Sequence, residues 1–369
     1  MFLNHIQLQN YRNYNQLELP IKHQVNVFLG PNAQGKTNLL ESIFTLALSK
    51  SHRTNKDKEL IGWSGDHATI HGTVQKKYGT VKLELLLSSQ GKKAKINSLE
   101  QRKLSNFVGA LNVVMFAPED LEIVKGTPGI RRRFLDMEIG QVQPGYLYTL
   151  QQYAKVLIQR NNFLKSAAHS SVDQAMLMVW NEQLATYGVK IMLKRQHFIK
   201  KLKNYAKEIH AGITNHAEQL DIYYRPSFDV ELDVEETVLF QHFMIKLSQV
   251  KDGEFRRGVT LVGPHRDDLS FFINDKEAQI FGSQGQQRTT ALSIKLAEIE
   301  LIREEIGEYP ILLLDDVLSE LDHNRQTQLI ETFQDKVQTF ITTTSLESVQ
   351  LGSLKDLGVY HVMDGKVSS

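Results

Sequence analysis

The segment GPNAQGKT has the residue types and spacing of a phosphate-binding loop. Glycines at both ends would let backbone N–H groups close around phosphate oxygens. Within such a loop, Lys36 would reach the β- and γ-phosphates and Thr37 would hold magnesium. We therefore predict that a nucleoside triphosphate and Mg²⁺ bind here, at Gly30, Pro31, Asn32, Ala33, Gln34, Gly35, Lys36 and Thr37.

The residues on either side of this loop match the setting that the motif requires. Val25 to Leu29 reads as a short buried strand, and Asn38 to Phe44 has the composition of a helix. The positive end of that helix would face the same phosphates. The sequence thus predicts a strand, a loop and a helix that together bind an anion.

Two acidic residues, Asp315 and Asp316, follow the apolar run Ile311 to Leu314. Ligands of parallel sheets lie at the carboxyl ends of strands, so this run predicts a strand that carries a metal-binding carboxylate. Asp315 is the predicted residue on the magnesium side. Asp316 would orient or deprotonate the attacking water, and with Lys36 the two acids form the predicted catalytic set. An acidic turn that caps a strand is the alternative.

A polar segment with the sequence SQGQQR precedes a predicted amphipathic helix. Ser283, Gly285 and Gln286 in this segment could offer a hydroxyl and backbone N–H donors to an anion. A serine that only caps the helix explains the segment equally well. Asp322 belongs to a short acidic turn just after the two acidic residues at the end of the predicted strand.

Bulk composition limits the classes of protein to consider. The chain has 369 residues, 41% of them hydrophobic, with 43 basic and 42 acidic residues and a net charge of +1. Any affinity for nucleic acid must therefore come from local clusters of charge. The lack of cysteine excludes disulfides and thiolate chemistry. No apolar run approaches the ~20 residues that a membrane span needs, and we expect a cytoplasmic protein without a membrane partner.

The order of the predicted elements indicates an α/β protein with a helical insertion. Alternating apolar residues predict strands at Ile6 to Tyr11 and Thr80 to Leu87, and buried strands return at Ile311 to Leu314 and Thr339 to Thr342. Helical spacing dominates between them. We predict a sheet-based lobe from residues 1–117 and 257–369, and a mainly helical lobe from residues 118–256. Predicted helices cover residues 146–164, 172–210, 235–249 and 324–333.

The predicted helix from Val189 to Lys207 contains seven basic residues and no acidic one. Its apolar residues could turn one stripe inward and leave the charges on the surface. A solvated helix face is the alternative interpretation. Because no base-reading motif is present, contacts with DNA would go to phosphates. The candidate DNA-binding residues are Lys190, Lys194, Arg195, Lys200, Lys201 and Lys203.

The order of phosphate loop, serine-led segment, acidic strand and acidic turn resembles the ATP-binding-cassette ATPases. The chain is most similar to the branch that includes the structural-maintenance-of-chromosomes proteins, and within it to the RecF family of bacterial DNA repair proteins. The segments that carry the resemblance are residues 10–14, 30–37, 51–54, 117–121, 126–136, 263–269, 283–288 and 315–316.

This resemblance implies an ABC-type ATPase lobe assembled from both chain ends and ATP-driven pairing of two copies. In such pairs the signature residues Ser283, Gly285 and Gln286 complete the site around Lys36 of the other copy, and Asp322 lies in the D-loop. The resemblance further implies a weak, DNA-dependent ATPase that acts in DNA replication, repair and the SOS response. It would bind double-stranded and gapped DNA and help to load recombinase, with RecR and RecO as partners.

The sequence departs from transporter cassettes at three points. Asp316 stands where they carry a catalytic glutamate, residues 342–344 are threonines where they carry a switch histidine, and Ala117 to Glu119 replaces a glutamine loop. Slow turnover is the natural expectation. We assign no nucleotide contact to the last segment.

Three alternatives stay open at this level. The ATP-binding subunit of a transporter would need the missing histidine and a smaller helical part. A phosphotransferase kinase would need no signature helix. A DNA scaffold that binds ATP without hydrolysis differs only in releasing no phosphate.

Overall fold

The structure of the chain is a computed structural model that describes residues 1–63, 65–167, 173–318, 326, 329, 336–345 and 356–368. The strands are β1 Phe2–Tyr11, β2 Tyr14–Pro20, β3 Val25–Leu29, β4 His67–Lys76, β5 Gly79–Ser88, β6 Gly91–Ile96, β7 Leu99–Glu100, β8 Val113–Phe116, β9 Leu220–Arg225, β10 Asp268–Ile273, β11 Lys276–Glu277, β12 Ile311–Asp315, β13 Thr339–Thr343, β14 Leu357–Met363 and β15 Lys366–Ser368. The α-helices are α1 Lys36–Leu48, α2 Leu121–Lys125, α3 Pro128–Val142, α4 Pro144–Ala167, α5 Gln174–Ile213, α6 Glu236–Arg257, α7 Ala278–Phe281 and α8 Gln284–Ile306.

The chain forms two compact units, and both chain ends belong to the first. The first unit contains residues 1–120 and 294–369, and the second contains residues 121–293. The sequence predicted that the chain re-enters the first lobe at residue 257, whereas in the structure the second unit continues to residue 293. Strand β10 pairs with β9 in a separate three-stranded sheet of this second unit. Residues 257–293, which include β10, therefore belong to the second unit.

The sheet that carries the phosphate loop has the order β15-β14-β3-β13-β12-β8. Its strands are parallel except for β15. Strands β8, β12 and β13 are buried along their whole length, which is typical of parallel strands covered on both faces. Because β3 and β12 run in the same direction, their carboxyl ends lie at one edge of the sheet. The loop and the acidic pair are thereby placed at the same edge.

A second, antiparallel sheet of the first unit has the order β2-β1-β4-β5-β6-β7. Residues alternate between buried and more exposed positions along β4 and β5, as the period of two in the sequence predicts. Helix α1 contacts strands of both sheets, including β4 and β13. This packing explains why α1 is almost entirely buried.

The second unit is built around the 40-residue helix α5, which contacts α4, α6 and β9. Val189, Met192, Ile199 and Leu202 point into its core, as the helical period predicts. The predicted helix at 324–333 and the acidic turn with Asp322 lie outside the described residues, apart from Gln326 and Leu329.

Candidate nucleotide-binding site

Both glycines of the phosphate loop are required by the local geometry. A Cβ on Gly30 would lie 2.3 Å from the carbonyl oxygen of Val362, because β14 runs directly beside the loop. Gly35 has a φ of 116°, which L side chains rarely adopt, and a Cβ there would meet the side chain of Asn13 at 2.6 Å. The motif glycines therefore allow neighbouring chain segments to approach the loop closely.

The loop is braced from two sides through Gln34. Asn13 donates its side-chain N–H to the Gln34 carbonyl oxygen at 3.0 Å, and the Gly365 N–H donates to the same oxygen at 3.1 Å. The Asp364 N–H donates to the Gln34 side-chain oxygen at 2.8 Å. These bonds hold the loop in place before any ligand binds, which reduces the ordering cost of binding.

The side chain of Lys36 folds back onto backbone carbonyl groups of its own loop. Its Nζ donates to the carbonyl oxygens of Gly30 at 2.5 Å and Pro31 at 2.8 Å. Burial lowers the pKa of Lys36, and the nearby Asp316 and Asp315 oppose that shift. The ammonium group thus lies within the loop, on carbonyl partners that a bound phosphate would replace.

The first turn of α1 and the end of β12 meet at one carboxylate. Thr37 Oγ1 donates to Asp315 Oδ1 at 2.9 Å, and Thr342 Oγ1 donates to the same oxygen at 2.8 Å. Burial raises the pKa of Asp315, although both hydroxyl bonds act in the opposite direction. The predicted juxtaposition of Thr37 and Asp315 is present. The bond from Thr342 was not predicted from the sequence.

Asp316 follows directly and leaves the strand in an unusual conformation. Its φ is 54°, and its backbone N–H donates to Thr342 Oγ1 at 2.9 Å. This left-handed conformation occurs where the chain leaves β12. The side chain is partly exposed, as a group that activates water would need to be.

The donor set fits magnesium and a triphosphate. Mg²⁺ takes oxygen ligands and is usually bound by one or two protein groups together with substrate phosphates and water. The Thr37 hydroxyl and the Asp315 carboxylate are two such oxygens, and a positively charged Lys36 lies on the phosphate side. Among the described residues there is no group of three or more acidic or histidine side chains that could hold a metal by itself. Phosphate oxygens would therefore have to complete the coordination.

A polar network centred on the buried Glu41 supports α1. Arg12 forms two bonds with Glu41, at 2.9 and 2.8 Å, and Ser51 donates to Glu41 at 2.5 Å. Arg53 donates to Asn38 at 3.0 Å. None of these residues was predicted from the sequence to have a role of its own. For Arg12, Ser51 and Arg53, the signal that could have found them is their position in segments 10–14 and 51–54, which carry the family resemblance.

The predicted signature residues open α8, and Ser283 is exposed. Ser283 Oγ accepts a bond from the Gln286 N–H at 3.2 Å, and the Gln286 side-chain oxygen accepts one from the Ser283 N–H at 2.9 Å. This reciprocal pair is a capping box. Gln286 also donates to Glu218 at 2.9 Å. The serine thus caps the helix, as the alternative interpretation held, while its hydroxyl proton stays available to an acceptor.

The prediction that Arg195 binds DNA is not supported by the structure. Arg195 is only 2% exposed, and its guanidinium donates to Asp136 at 2.8 Å and to the Pro264 carbonyl oxygen at 2.7 Å. It lies four residues from Ile191 and from Ile199, which are both buried. That spacing places Arg195 on the buried face of α5. The same spacing, read from the sequence, could have distinguished Arg195 from the exposed lysines.

The other candidate lysines of α5 differ in their surroundings. Lys190 and Lys200 are exposed, and Lys200 lies 3.8 Å from Asp233. Lys194 donates to Gln143 at 2.7 Å, while Lys203 pairs with Asp221 at 2.8 Å. Lys201 is partly buried. Fewer of the candidate basic residues of α5 are therefore exposed than the sequence alone indicates.

The described residues contain no helix with the length and apolar character needed to cross a membrane.

Comparisons with known proteins agree along the full length of the chain. The family model described as "RecF/RecN/SMC N terminal domain" matches residues 2–368. The "DNA replication and repair protein RecF" of Bacillus mycoides (strain KBAB4) and that of Bacillus thuringiensis (strain Al Hakam) are both 55% identical over 368 residues. In each case the match covers 100% of this chain and 98% of the relative.

Solved structures show the same fold. Structures of the recombination mediator protein RecF in the RecFOR pathway, one described as RecF-ATP and one as RecF-ATPrS, match with TM-scores of 0.93 and 0.92. Both are 35% identical, and the matches cover 100% of this chain and 97% of each of those chains. The Smc head domain of Pyrococcus furiosus matches with a TM-score of 0.56 at 12% identity, which shows a shared fold alone.

The fold is therefore that of an ABC-type ATPase head. From the full-length matches, the chain belongs to the RecF family of DNA replication and repair proteins, within the larger RecF/RecN/SMC family.

Proposed function

We propose that the chain is an ATP-dependent DNA-binding mediator of recombination and repair that pairs when it binds ATP. The observation that carries this proposal is the 2.9 Å bond between Thr37 and Asp315 beside a braced phosphate loop. In this proposal the two oxygens would hold a magnesium ion next to a cradle for phosphates. The relatives described as RecF-ATP and RecF-ATPrS support ATP as the nucleotide.

Pairing would follow from the exposed position of Ser283 at the start of α8. In the proposed pair, Ser283, Gly285 and Gln286 of one copy bind the γ-phosphate held by Lys36 of the other. ATP then gains contacts that neither copy provides alone. To move a pairing equilibrium from 1:99 to 99:1 takes about 5.5 kcal/mol, which a few charge-assisted bonds at two shared sites can supply.

Hydrolysis would act as the release step. Asp316 is the proposed base for the attacking water, with Asp315 and Thr37 on the metal side. Because aspartate is one methylene shorter than the glutamate of transporter cassettes, its carboxylate reaches less far toward the water. Turnover is therefore proposed to be slow. We further propose that DNA stimulates it. Loss of the γ-phosphate removes the contacts that hold the two copies together.

DNA would be bound mainly through phosphates, and the preferred sites would be gapped duplexes. Of the candidate lysines of α5, Lys190 and Lys200 are exposed and are proposed to contribute. The proposed DNA site is a double-stranded region beside a single-stranded gap. There the protein would help to load recombinase, and we propose that it does so in the cytoplasm. The structural relatives are recombination mediator proteins in the RecFOR pathway, which supports RecR and RecO as partners.

Sedimentation with ATP, with ADP and with a gapped duplex tests the proposal. The expected result is a dimer with ATP, a monomer with ADP, and DNA binding that is strongest with ATP. A chain that stays monomeric when saturated with ATP, both with and without DNA, would overturn the pairing scheme.

Membership of the RecF family removes the support for a transporter subunit or a phosphotransferase kinase. The scaffold alternative is tested by measuring phosphate release with and without gapped DNA. Release that is stimulated by DNA supports an ATPase, whereas tight ATP binding without any phosphate release supports a scaffold.

A further inference from the structure

One hydroxyl group bonds to both acidic residues at the end of β12. Thr342 Oγ1 donates to Asp315 Oδ1 at 2.8 Å and accepts from the Asp316 N–H at 2.9 Å. Thr342 is opposite Asp315 in the parallel register of β12 and β13, and it is 1% exposed. A hydroxyl has one proton and two lone pairs, so both bonds can form at once.

The bond to Asp316 holds a backbone conformation that needs support. Asp316 has a φ of 54°, in the left-handed region that non-glycine residues adopt at a cost. The bond to Asp315 joins the same hydroxyl to the carboxylate that also accepts from Thr37. A shift of Thr342 would therefore change the orientations of Asp315 and Asp316 together.

We propose that Thr342 is a positioning residue that fixes Asp315 and Asp316 relative to each other. This inference rests on the proposed function, in which Asp315 lies on the metal side and Asp316 activates water. Through Asp315 the hydroxyl sets the direction of the carboxylate, and through the Asp316 N–H it sets the backbone from which the catalytic carboxylate projects. The side chain of Thr342 itself touches neither nucleotide nor water in this role.

Thr339, another threonine of β13, and the conservative variant Thr342→Ser serve as comparisons. Thr339, at the start of the same strand, is 3% exposed and donates to the carbonyl oxygen of Val337 at 3.1 Å. Replacing Thr339 by valine removes a buried hydroxyl from the same strand without touching the acidic pair. Thr342→Ser retains an Oγ that can form both bonds.

The test uses the full-length chain with Thr342→Val, Thr342→Ser and Thr339→Val. Amide hydrogen exchange at Asp316 is measured without nucleotide, and the kcat and KM for ATP are measured with Mg²⁺. Thr342→Val is expected to speed exchange at Asp316 about tenfold or more and to lower kcat about tenfold or more, since small misplacements of catalytic groups are costly. We expect KM to change by less than about threefold, because the phosphate loop is intact.

Thr342→Ser should return both quantities to within about threefold of the original chain, and Thr339→Val should leave both unchanged. Exchange at Asp316 and kcat that are unaffected by Thr342→Val would overturn the inference, as would an equal loss of kcat in Thr339→Val. The exchange experiment needs no turnover, so it tests the hydroxyl bridge by itself. Absence of hydrolysis in the original chain would instead count against the proposed function.

Discussion

The hydroxyl of Thr37 lies 2.9 Å from Asp315 Oδ1, although the two residues are 278 positions apart in the chain. The contact exists because α1 begins at the carboxyl end of β3 and β12 ends at the same edge of a parallel sheet. It joins the phosphate loop to the acidic strand. The site is thus largely formed by the fold, and substitutions in it should change binding and turnover more than folding.

Replacing Lys36 by alanine should abolish ATP-dependent pairing. The variant loses the one lysine of residues 30–37, while the bracing bonds to Gln34 are untouched. Titration with a fluorescent ATP analogue and light scattering measure affinity and pairing. Lys50→Ala, which removes an exposed lysine just after α1, serves as the control. Normal pairing of Lys36→Ala at saturating ATP would contradict the proposed role of the loop.

Replacing Asp316 by asparagine should prolong the paired state. An amide cannot accept a proton from water, so we expect hydrolysis to fall about 10²-fold or more while ATP still binds. Light scattering after a single addition of ATP follows the lifetime of the pair. A variant that dissociates as fast as the original chain would show that Asp316 does not control release.

Replacing both Lys190 and Lys200 by alanine should weaken DNA binding and make it less sensitive to salt. If each lysine neutralises one phosphate, the slope of log affinity against log salt becomes shallower by about 1.8. Binding to a gapped duplex over a series of salt concentrations measures the slope. Lys22→Ala with Lys58→Ala, two exposed lysines of the first unit, is the matched control. An unchanged slope would place the DNA surface elsewhere.

Replacing Glu254 by alanine should destabilise the second unit strongly. Glu254 is fully buried, and it accepts from Arg160 at 2.6 Å and from the Leu261 N–H at 2.9 Å. Its removal leaves the Arg160 charge buried without its carboxylate, which costs about 3–5 kcal/mol. Glu122→Ala, which breaks a half-exposed pair with Lys125, should cost less than about 1 kcal/mol. Denaturant unfolding compares the two, and equal losses would refute the argument.

Folding stability should fall as the pH is lowered through the range set by His265. Burial lowers the pKa of His265 to about 4, whereas an unfolded histidine has a pKa of about 6.5. Between these values the unfolded chain binds a proton that the folded chain does not. The stabilising effect of the neutral ring is thus complete above about pH 6.5 and is lost toward pH 4, with a total of at most about 3 kcal/mol.

The measurement is the free energy of unfolding against pH for the original chain and for His265→Gln. The variant should show a shallower decline between pH 6.5 and 4, even though the loss of the bond between Tyr153 and His265 lowers its stability at every pH. Burial also lowers the pKa of His52 to about 4, so part of the decline remains in the variant. His197→Gln, at an exposed position, is the control. Identical slopes in all three proteins would exclude His265 as a source of the dependence.

The amino-acid sequence alone determined the phosphate loop, the flanking strand β3 and helix α1, the acidic end of β12 and the family resemblance. These features are local, because a motif of eight residues, an apolar run or a helical period is encoded by neighbouring residues. The long helices α4, α5 and α6 were predictable for the same reason.

Only the tertiary structure decided which residues meet. The burial of Arg195 depends on Asp136 and Pro264, the bridge at Thr342 depends on the register of β12 and β13, and the place of β10 in the second unit depends on its pairing with β9. Each involves partners that are distant along the chain. Local periodicity shows which side of an element is apolar, but the neighbour that packs against that side is chosen by the fold.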